Sequence, residues 1–162
     1  MLKVRFTRLS PKRHRLEIVR VDGSADAADL ETRSLLLHDL VHFAFESEAR
    51  LTQSFYGLLA SGRALAALQA DDATFPTAEA QLTERIVGPL SAVVQGKSTI
   101  AGLLVGLRNL QHAYAEPMPD WLTEALLQRV VARFRRLDGQ WKATPFGTTM
   151  ELVFDVAEAP AC

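Results

Sequence analysis

Apolar residues recur at helical spacing between Ser34 and Arg50, in the most regular pattern of the chain. At about 100° per residue, one broad arc of this stretch is apolar. The arc holds Leu36, Leu37, Leu40, Val41, Phe43, Ala44 and Phe45. The hydroxyl of Ser34 can cap the first turn, and no proline or glycine interrupts the following residues. The pattern predicts a central helix whose apolar arc faces the core.

Both ends of the chain alternate between apolar and polar residues, the period of a strand with one buried face. At the N-terminus this alternation predicts strands over 2–8 and 14–21. Residues 29–33 form either a short third strand or an early start of the central helix. Near the C-terminus, strands are predicted over 140–144 and 148–156. We expect the two terminal hairpins to join in one antiparallel sheet.

Between the strands, helical patterns follow one another with few interruptions. Further helices are predicted over 54–60, 77–87, 98–114 and 120–137, with a loop over 71–76. Gly88-Pro89 should end or kink the second of these, because proline removes a hydrogen-bond donor. Strands at both ends with helices between them favour an α+β fold, with the helical region packed on one face of the sheet.

The length of 162 residues fits a single domain over 1–162. It divides into N-terminal strands (1–33), a helical region (34–137) and a C-terminal hairpin (140–156). An apolar fraction of 48% and a charged fraction of 23% are typical of soluble globular proteins.

Cellular location follows from what the sequence does not contain. The N-terminus has no apolar signal segment, and the longest apolar run, Ile100 to Leu107, is far shorter than the roughly 20 residues that cross a bilayer. We therefore expect a cytoplasmic protein without a membrane partner. The single cysteine, Cys162, excludes an intrachain disulfide.

Positive charge is concentrated near the N-terminus, where the first 20 residues hold seven Lys or Arg and one acidic residue. Such a patch can bind nucleic acid. However, Glu151 and Asp155 on the predicted C-terminal strand can neutralise Lys3, Arg5 or Arg20 across the sheet. No aromatic residues are interleaved for base stacking. We expect nucleic-acid binding to be weak or absent.

The polar edge of the central helix carries the only cluster of chemically able residues: His38, Asp39, His42, Glu46 and Arg50. The spacing His-Asp-x-x-His differs by one methylene from His-Glu-x-x-His, in which two histidines bind zinc and the carboxylate acts as general base. The pattern predicts His38 and His42 as ligands of a divalent metal such as zinc. Asp39 and Glu46 are the candidate catalytic base or orienting partners, which suggests a hydrolytic site.

A third metal ligand is not evident on the same helix. Glu46 is eight residues beyond His38, or about 12 Å along the axis, too far for one ion to be held by both. A mononuclear site therefore needs a ligand from another segment. By residue type, His14 and His112 are the first candidates. His112 also has a structural interpretation, since a cation complements the end of a helix.

The same polar edge has a bland interpretation as a solvated stripe. Asp39 would then pair with His42, and Glu46 with His42 or Arg50, each pair worth a few tenths of a kcal/mol. In that case the chain is a non-catalytic interaction or oligomerisation module. Gly102 and Gly106 would allow another backbone to approach closely. We expect this contact inside the domain, and a homo-oligomer is the alternative.

Three segments carry a resemblance. They are Leu-His-Asp-Leu-Val-His-Phe-x-x-Glu at 37–46, Phe-Tyr-Gly at 55–57, and Trp-x-Ala-Thr-Pro-x-Gly-Thr at 141–148. Together they resemble a group of small uncharacterised bacterial proteins of no known activity. The resemblance covers the central helix and the C-terminal hairpin, and it implies a bacterial source without a mechanism. The sequence contains no phosphate-binding glycine loop, no Gly-x-Ser-x-Gly and no Cys-x-x-Cys.

Overall fold

The computed structural model describes residues 1–70, 74–114 and 117–155. It confirms the α+β class, with one four-stranded antiparallel sheet and helices packed on it. In sheet order the strands are β3 (Ala25–Glu31), β2 (Arg13–Arg20), β1 (Leu2–Arg8) and β4 (Thr149–Phe154). β1 pairs with both β2 and β4, so the N-terminal strands and the C-terminal strand join in one antiparallel sheet, as predicted.

The alternation of each strand places one face in the core and one in water. Phe6 lies opposite Leu16 on β2 and opposite Met150 on β4, and all three are buried. On the other face, the Arg5 guanidinium lies 2.7 Å from Glu151 and 3.3 Å from Glu17. Part of the N-terminal positive charge is therefore neutralised within the sheet, as the sequence predicted.

Six helices are described, and together they cover the apolar face of the sheet. They are α1 (Leu37–Ala49), α2 (Phe55–Ala60), α3 (Leu65–Gln69), α4 (Ala78–Val94), α5 (Ile100–Tyr114) and α6 (Glu124–Ala143). α1 contacts both α4 and α6, and its Phe43 ring packs 5.9 Å from the ring of Phe154 on β4. The central helix of the sequence is thus the central helix of the fold. In the described segments, no helix has the combination of length and apolar character that a bilayer crossing requires.

The chain enters α1 through a π-helical turn, Thr32–Leu36. The Glu31 carboxylate caps this turn by accepting the backbone N–H groups of Arg33 (2.7 Å) and Ser34 (3.0 Å). The predicted cap by Ser34 is wrong, since its hydroxyl donates to Glu31 instead. Residues 29–33 combine both predicted alternatives, because β3 ends at Glu31 and helical structure starts directly after it.

The predicted strand over 140–144 is wrong, because these residues end α6. Trp141 lies four residues after Leu137 and seven after Phe134, so it continues the buried stripe of the helix. Gly139 does not stop the helix: its φ is not positive and its position has open space around it. The sheet consequently receives a single C-terminal strand, β4.

Of the two expected effects of Gly88-Pro89, ending the helix is wrong, because α4 continues through Pro89 to Val94. Pro89 is exposed, while Ile86, Val87 and Leu90 are fully buried. Burial of this apolar face offsets the lost backbone hydrogen bond, which costs about 3 kcal/mol in a helix interior.

Two further expectations concern loops and small residues. Residues 71–73 of the predicted 71–76 loop, and Cys162, lie outside the described residues. The close approach of another backbone expected at Gly102 and Gly106 is not seen among the described residues. A Cβ at Gly102 would meet the side chains of Ser98 and Thr99, and one at Gly106 would meet nothing within 4 Å.

Candidate metal centre

The middle of the polar edge of α1 is buried, so the expectation of a solvated stripe is wrong, although the Glu46–His42 pair expected with it is present. Asp39, His42 and Glu46 are 6%, 1% and 0% exposed. They lose contact with water because α2 and α4 pack over this side of α1. At the two ends of the edge, the His38 side chain is 48% exposed and Arg50 is exposed. Burying ionisable groups is costly unless they are paired, so their partners define what the edge can do.

His42 uses its two ring nitrogens differently. Nδ1 lies 3.0 Å from Glu46 Oε1, one helical turn further along α1. Nε2 lies 3.2 Å from Glu84 Oε1 on α4, but the geometry is not that of a hydrogen bond, and no other described atom bonds to it. A buried polar atom of this kind needs a partner. The Nε2 atom of His42 is therefore the ring nitrogen left without a hydrogen bond, with only the Glu84 carboxylate beside it in the described part of the chain.

Glu46 is held from both sides. Its Oε1 faces His42, and its Oε2 accepts the backbone N–H of Tyr56 at 2.8 Å. The chain before α2 also folds closely against it because residue 57 is glycine: a Cβ there would overlap the Thr52 carbonyl in the connection between α1 and α2. With both oxygens engaged, Glu46 is placed to orient the imidazole rather than to act as a base. Carboxylates that accept one N–H of a histidine in this way are typical partners of metal-binding histidines.

Glu84 completes a cluster with the two histidines. His38, His42 and Glu84 each offer one ligand atom, and these atoms all lie within 4.8 Å of one another. Ligands about 2.0–2.1 Å from a tetrahedral zinc ion lie about 3.3 Å apart, close to the 3.2 Å between His42 Nε2 and Glu84 Oε1. Because His38 is half-exposed, its ring can rotate toward the same point.

The sequence did not identify Glu84, which lies on α4, 38 residues after Glu46. Glu84 follows the buried Thr83, whose hydroxyl lies 2.8 Å from that of Ser54. This contact fixes the turn of α4 that carries Glu84 beside α1. A carboxylate next to the buried stripe of a helix was the available signal, but it becomes specific only when the neighbouring helix is known.

The two histidines expected as third ligands lie elsewhere. Nδ1 of His14, on β2, is 3.1 Å from the Thr32 hydroxyl, and its ring packs near Phe6 and Trp141. His112 is exposed in the last turn of α5, in keeping with its structural interpretation. Neither belongs to the cluster formed with His38 and His42 in the described part of the chain.

The electrostatics of the cluster favour a positive charge at its centre. Burial lowers the pKa of His42, but the neighbouring carboxylates of Glu46 and Glu84 outweigh it and raise that pKa to about 9. Burial alone would raise the pKa of Glu84, but the neighbouring His42 more than offsets this, so that the pKa of Glu84 lies below its ordinary value. Burial raises the pKa of Glu46 despite the opposing effect of His42 and the backbone amides. A metal ion on Nε2 would supply the charge that the imidazolium proton otherwise provides.

A pocket of about 250 Å³ adjoins the cluster. Its polar lining comes from His38, Asp39, Gln69 and Glu84, and its apolar lining from Leu30, Leu35, Phe55, Leu68 and Phe75. The Oδ2 atom of Asp39 is buried and has no hydrogen-bond partner among the described residues. Of the two carboxylates predicted as a base, Asp39 is thus the one that lines the pocket, and its enclosed Oδ2 is the carboxylate oxygen without a hydrogen bond.

Comparisons with known proteins do not place the chain in a family: no family model matches it, and neither does any curated protein or solved structure. The interpretation of the cluster therefore depends on its own geometry.

Proposed function

We propose that this protein binds one divalent transition metal ion, with zinc the foremost candidate, through His38, His42 and Glu84. The protein would use this ion in a hydrolytic reaction. The observation that supports the proposal is the arrangement of His42. Its Nδ1 is oriented by a buried carboxylate, while its Nε2 has no hydrogen bond and points to a second carboxylate. Two imidazoles and one carboxylate are the donor set of catalytic zinc sites, which keep a fourth position for water or substrate.

The predicted roles of the carboxylates separate in this arrangement. A bound zinc ion supplies a Lewis acid that lowers the pKa of water to about 7. Asp39 would accept the proton from that water, because it lines the pocket and its Oδ2 has no hydrogen-bond partner among the described residues. Glu46 would hold the His42 ring and its tautomer. Asp39 is one methylene shorter than the glutamate of the His-Glu-x-x-His pattern, so it would reach a metal-bound water less easily than that glutamate does.

The direct test is metal analysis of protein purified without a histidine tag, followed by titration of the metal-free protein with zinc. We expect one zinc per chain in the wild type. His38→Ala and Glu84→Gln should each weaken zinc binding by at least 100-fold, because each variant keeps only two of the three protein ligands. These two variants are preferred to His42→Ala because their side chains are 48% and 27% exposed, so folding tolerates the change better.

His112→Ala is the matched control, since it removes an exposed histidine outside the cluster. It should bind zinc as the wild type does. A wild-type protein that neither retains nor takes up zinc, nickel or manganese would refute the proposal. So would a Glu84→Gln variant with unchanged affinity.

A further inference from the structure

We infer that the ligand of this site is a small molecule, or one arm of a larger one, that pairs an apolar body with an uncharged polar head such as an amide or ester carbonyl. The inference rests on the proposed function, since the polar head would reach the metal. It goes further by naming the chemical class that the pocket selects.

The apolar part of the pocket supports the first half of this inference. Five apolar side chains line it, and they come from separate segments: β3, the turn before α1, α2, α3 and the segment before α4. Two of the five are aromatic, Phe55 and Phe75. Walls of this kind are typical of pockets that bind the hydrophobic portion of a ligand. The titratable groups, by contrast, are gathered at the metal cluster, where His38 and Glu84 offer ligand atoms within 4.8 Å of each other.

The charge of the lining supports the second half. Among the described residues that line the pocket, none is Lys or Arg, whereas Asp39 and Glu84 are both acidic. These two carboxylates alone balance the two charges of a divalent ion. The loaded site is therefore not a net cation, and an additional anion such as a phosphate or a second carboxylate would lack a partner. Unpaired charges in a pocket are a common means of rejecting the wrong ligand.

The volume limits the size of the ligand. Pockets that enclose drug-sized molecules occupy about 300–1,000 Å³, and this one measures about 250 Å³. It admits a short aliphatic chain or a single ring. Gln69, the one uncharged polar residue of the lining, offers an amide that can hydrogen-bond to the head group.

Alkyl hydroxamic acids provide the test, because each is neutral in solution and releases one proton to the buffer when it binds zinc, so the head bound to zinc is the same whatever the tail. Acetohydroxamic, butanohydroxamic and hexanohydroxamic acids would be titrated calorimetrically into the zinc-loaded protein. Each buried methylene should tighten binding by up to about four-fold. We expect hexanohydroxamic acid to bind at least 10-fold tighter than acetohydroxamic acid.

Two matched comparisons isolate the pocket from the metal. The six-carbon monohydroxamate that ends in a carboxylate has the same head and tail length as hexanohydroxamic acid, and it should bind at least 10-fold more weakly. Leu68→Ala should weaken hexanohydroxamic acid while leaving acetohydroxamic acid unchanged. Leu110→Ala, which changes a residue outside this pocket, should alter neither.

The outcomes distinguish this inference from the proposed function. Zinc loading is measured first, and a protein that takes up no zinc contradicts both. If the protein binds one zinc and acetohydroxamic acid, but longer tails add no affinity, the metal centre stands and the apolar ligand is refuted. Equal or tighter binding of the tail that carries a carboxylate would likewise overturn the uncharged ligand class.

Discussion

Glu46 Oε1 lies 3.0 Å from Nδ1 of His42, one turn away on the same helix, and both side chains are almost completely removed from water. Such a pair is costly to bury unless further bonds complete it. The backbone amide of Tyr56 completes it on the side of Glu46, and the Glu84 carboxylate faces it on the side of His42. The fold therefore holds the His42 ring in place with its Nε2 atom beside the Glu84 carboxylate.

Replacing the orienting carboxylate should weaken the metal site without removing a ligand. Glu46→Gln retains the shape of the side chain but loses its charge, and such partners typically contribute 10- to 100-fold to metal affinity. We expect a loss of this size when zinc binding is measured by competition with a chromophoric chelator. Glu48→Gln is the control on the same helix, because Glu48 pairs with Arg129 and Arg133 instead. Equal affinities in the two variants would contradict the orienting role.

Loss of the proton of His42 should make the metal-free protein less stable at alkaline pH. Its pKa is about 9 in the folded state against an ordinary 6.5, so the folded state binds more protons between these values. The resulting stabilisation is complete below pH 6.5 and is lost as the pH rises through about 9. Urea unfolding in the presence of a chelator should show the stability difference between wild type and His42→Gln shrinking over this range. A neutral imidazole at pH 7, seen by ¹⁵N NMR of His42, would show that the carboxylates do not hold the proton.

Gly57 should be the glycine that least tolerates a side chain. In Gly57→Ala the new Cβ overlaps the backbone carbonyl of Thr52, so α2 and the connection that leads into it from α1 must shift apart. Overpacking of this kind costs about 1–3 kcal/mol, and the shift should also weaken the amide bond to Glu46. Gly106→Ala is the matched control: it has open space and lies inside a helix, so it should gain about 0.5–1 kcal/mol. Denaturant unfolding of both variants measures the difference, and a stable Gly57→Ala would show that α2 is not held as closely as described.

Nucleic-acid binding should be weak and should not depend steeply on salt. The sheet surface pairs Arg5 with Glu151 and Glu17, and Arg15 with Asp29, so these cations are not free to contact phosphates. Fluorescence anisotropy with DNA and RNA between 50 and 200 mM salt is the measurement. A fall in affinity of about 10³-fold or more over that range would imply several phosphate contacts and would contradict the neutralised surface.

The sequence predicted what depends on local periodicity. α1, the first two strands and the antiparallel sheet follow from apolar spacing, and the pairing of His42 with Glu46 follows from their four-residue separation. The sequence could not predict that this pair is buried, nor that Glu84 lies beside it, because both depend on how α4 packs against α1. The end of α6 was misjudged for the opposite reason: Asp138-Gly139 looks like a local stop, but burial of Trp141 in the core extends the helix.

The central claim is that one metal ion lies between α1 and α4, and anomalous diffraction from crystals grown with zinc tests it most directly. The account predicts a single strong peak about 2.0–2.2 Å from a ring nitrogen of His38, from Nε2 of His42 and from a carboxylate oxygen of Glu84. A map without a peak at this position, or with the zinc bound only at His14 or His112, would contradict it.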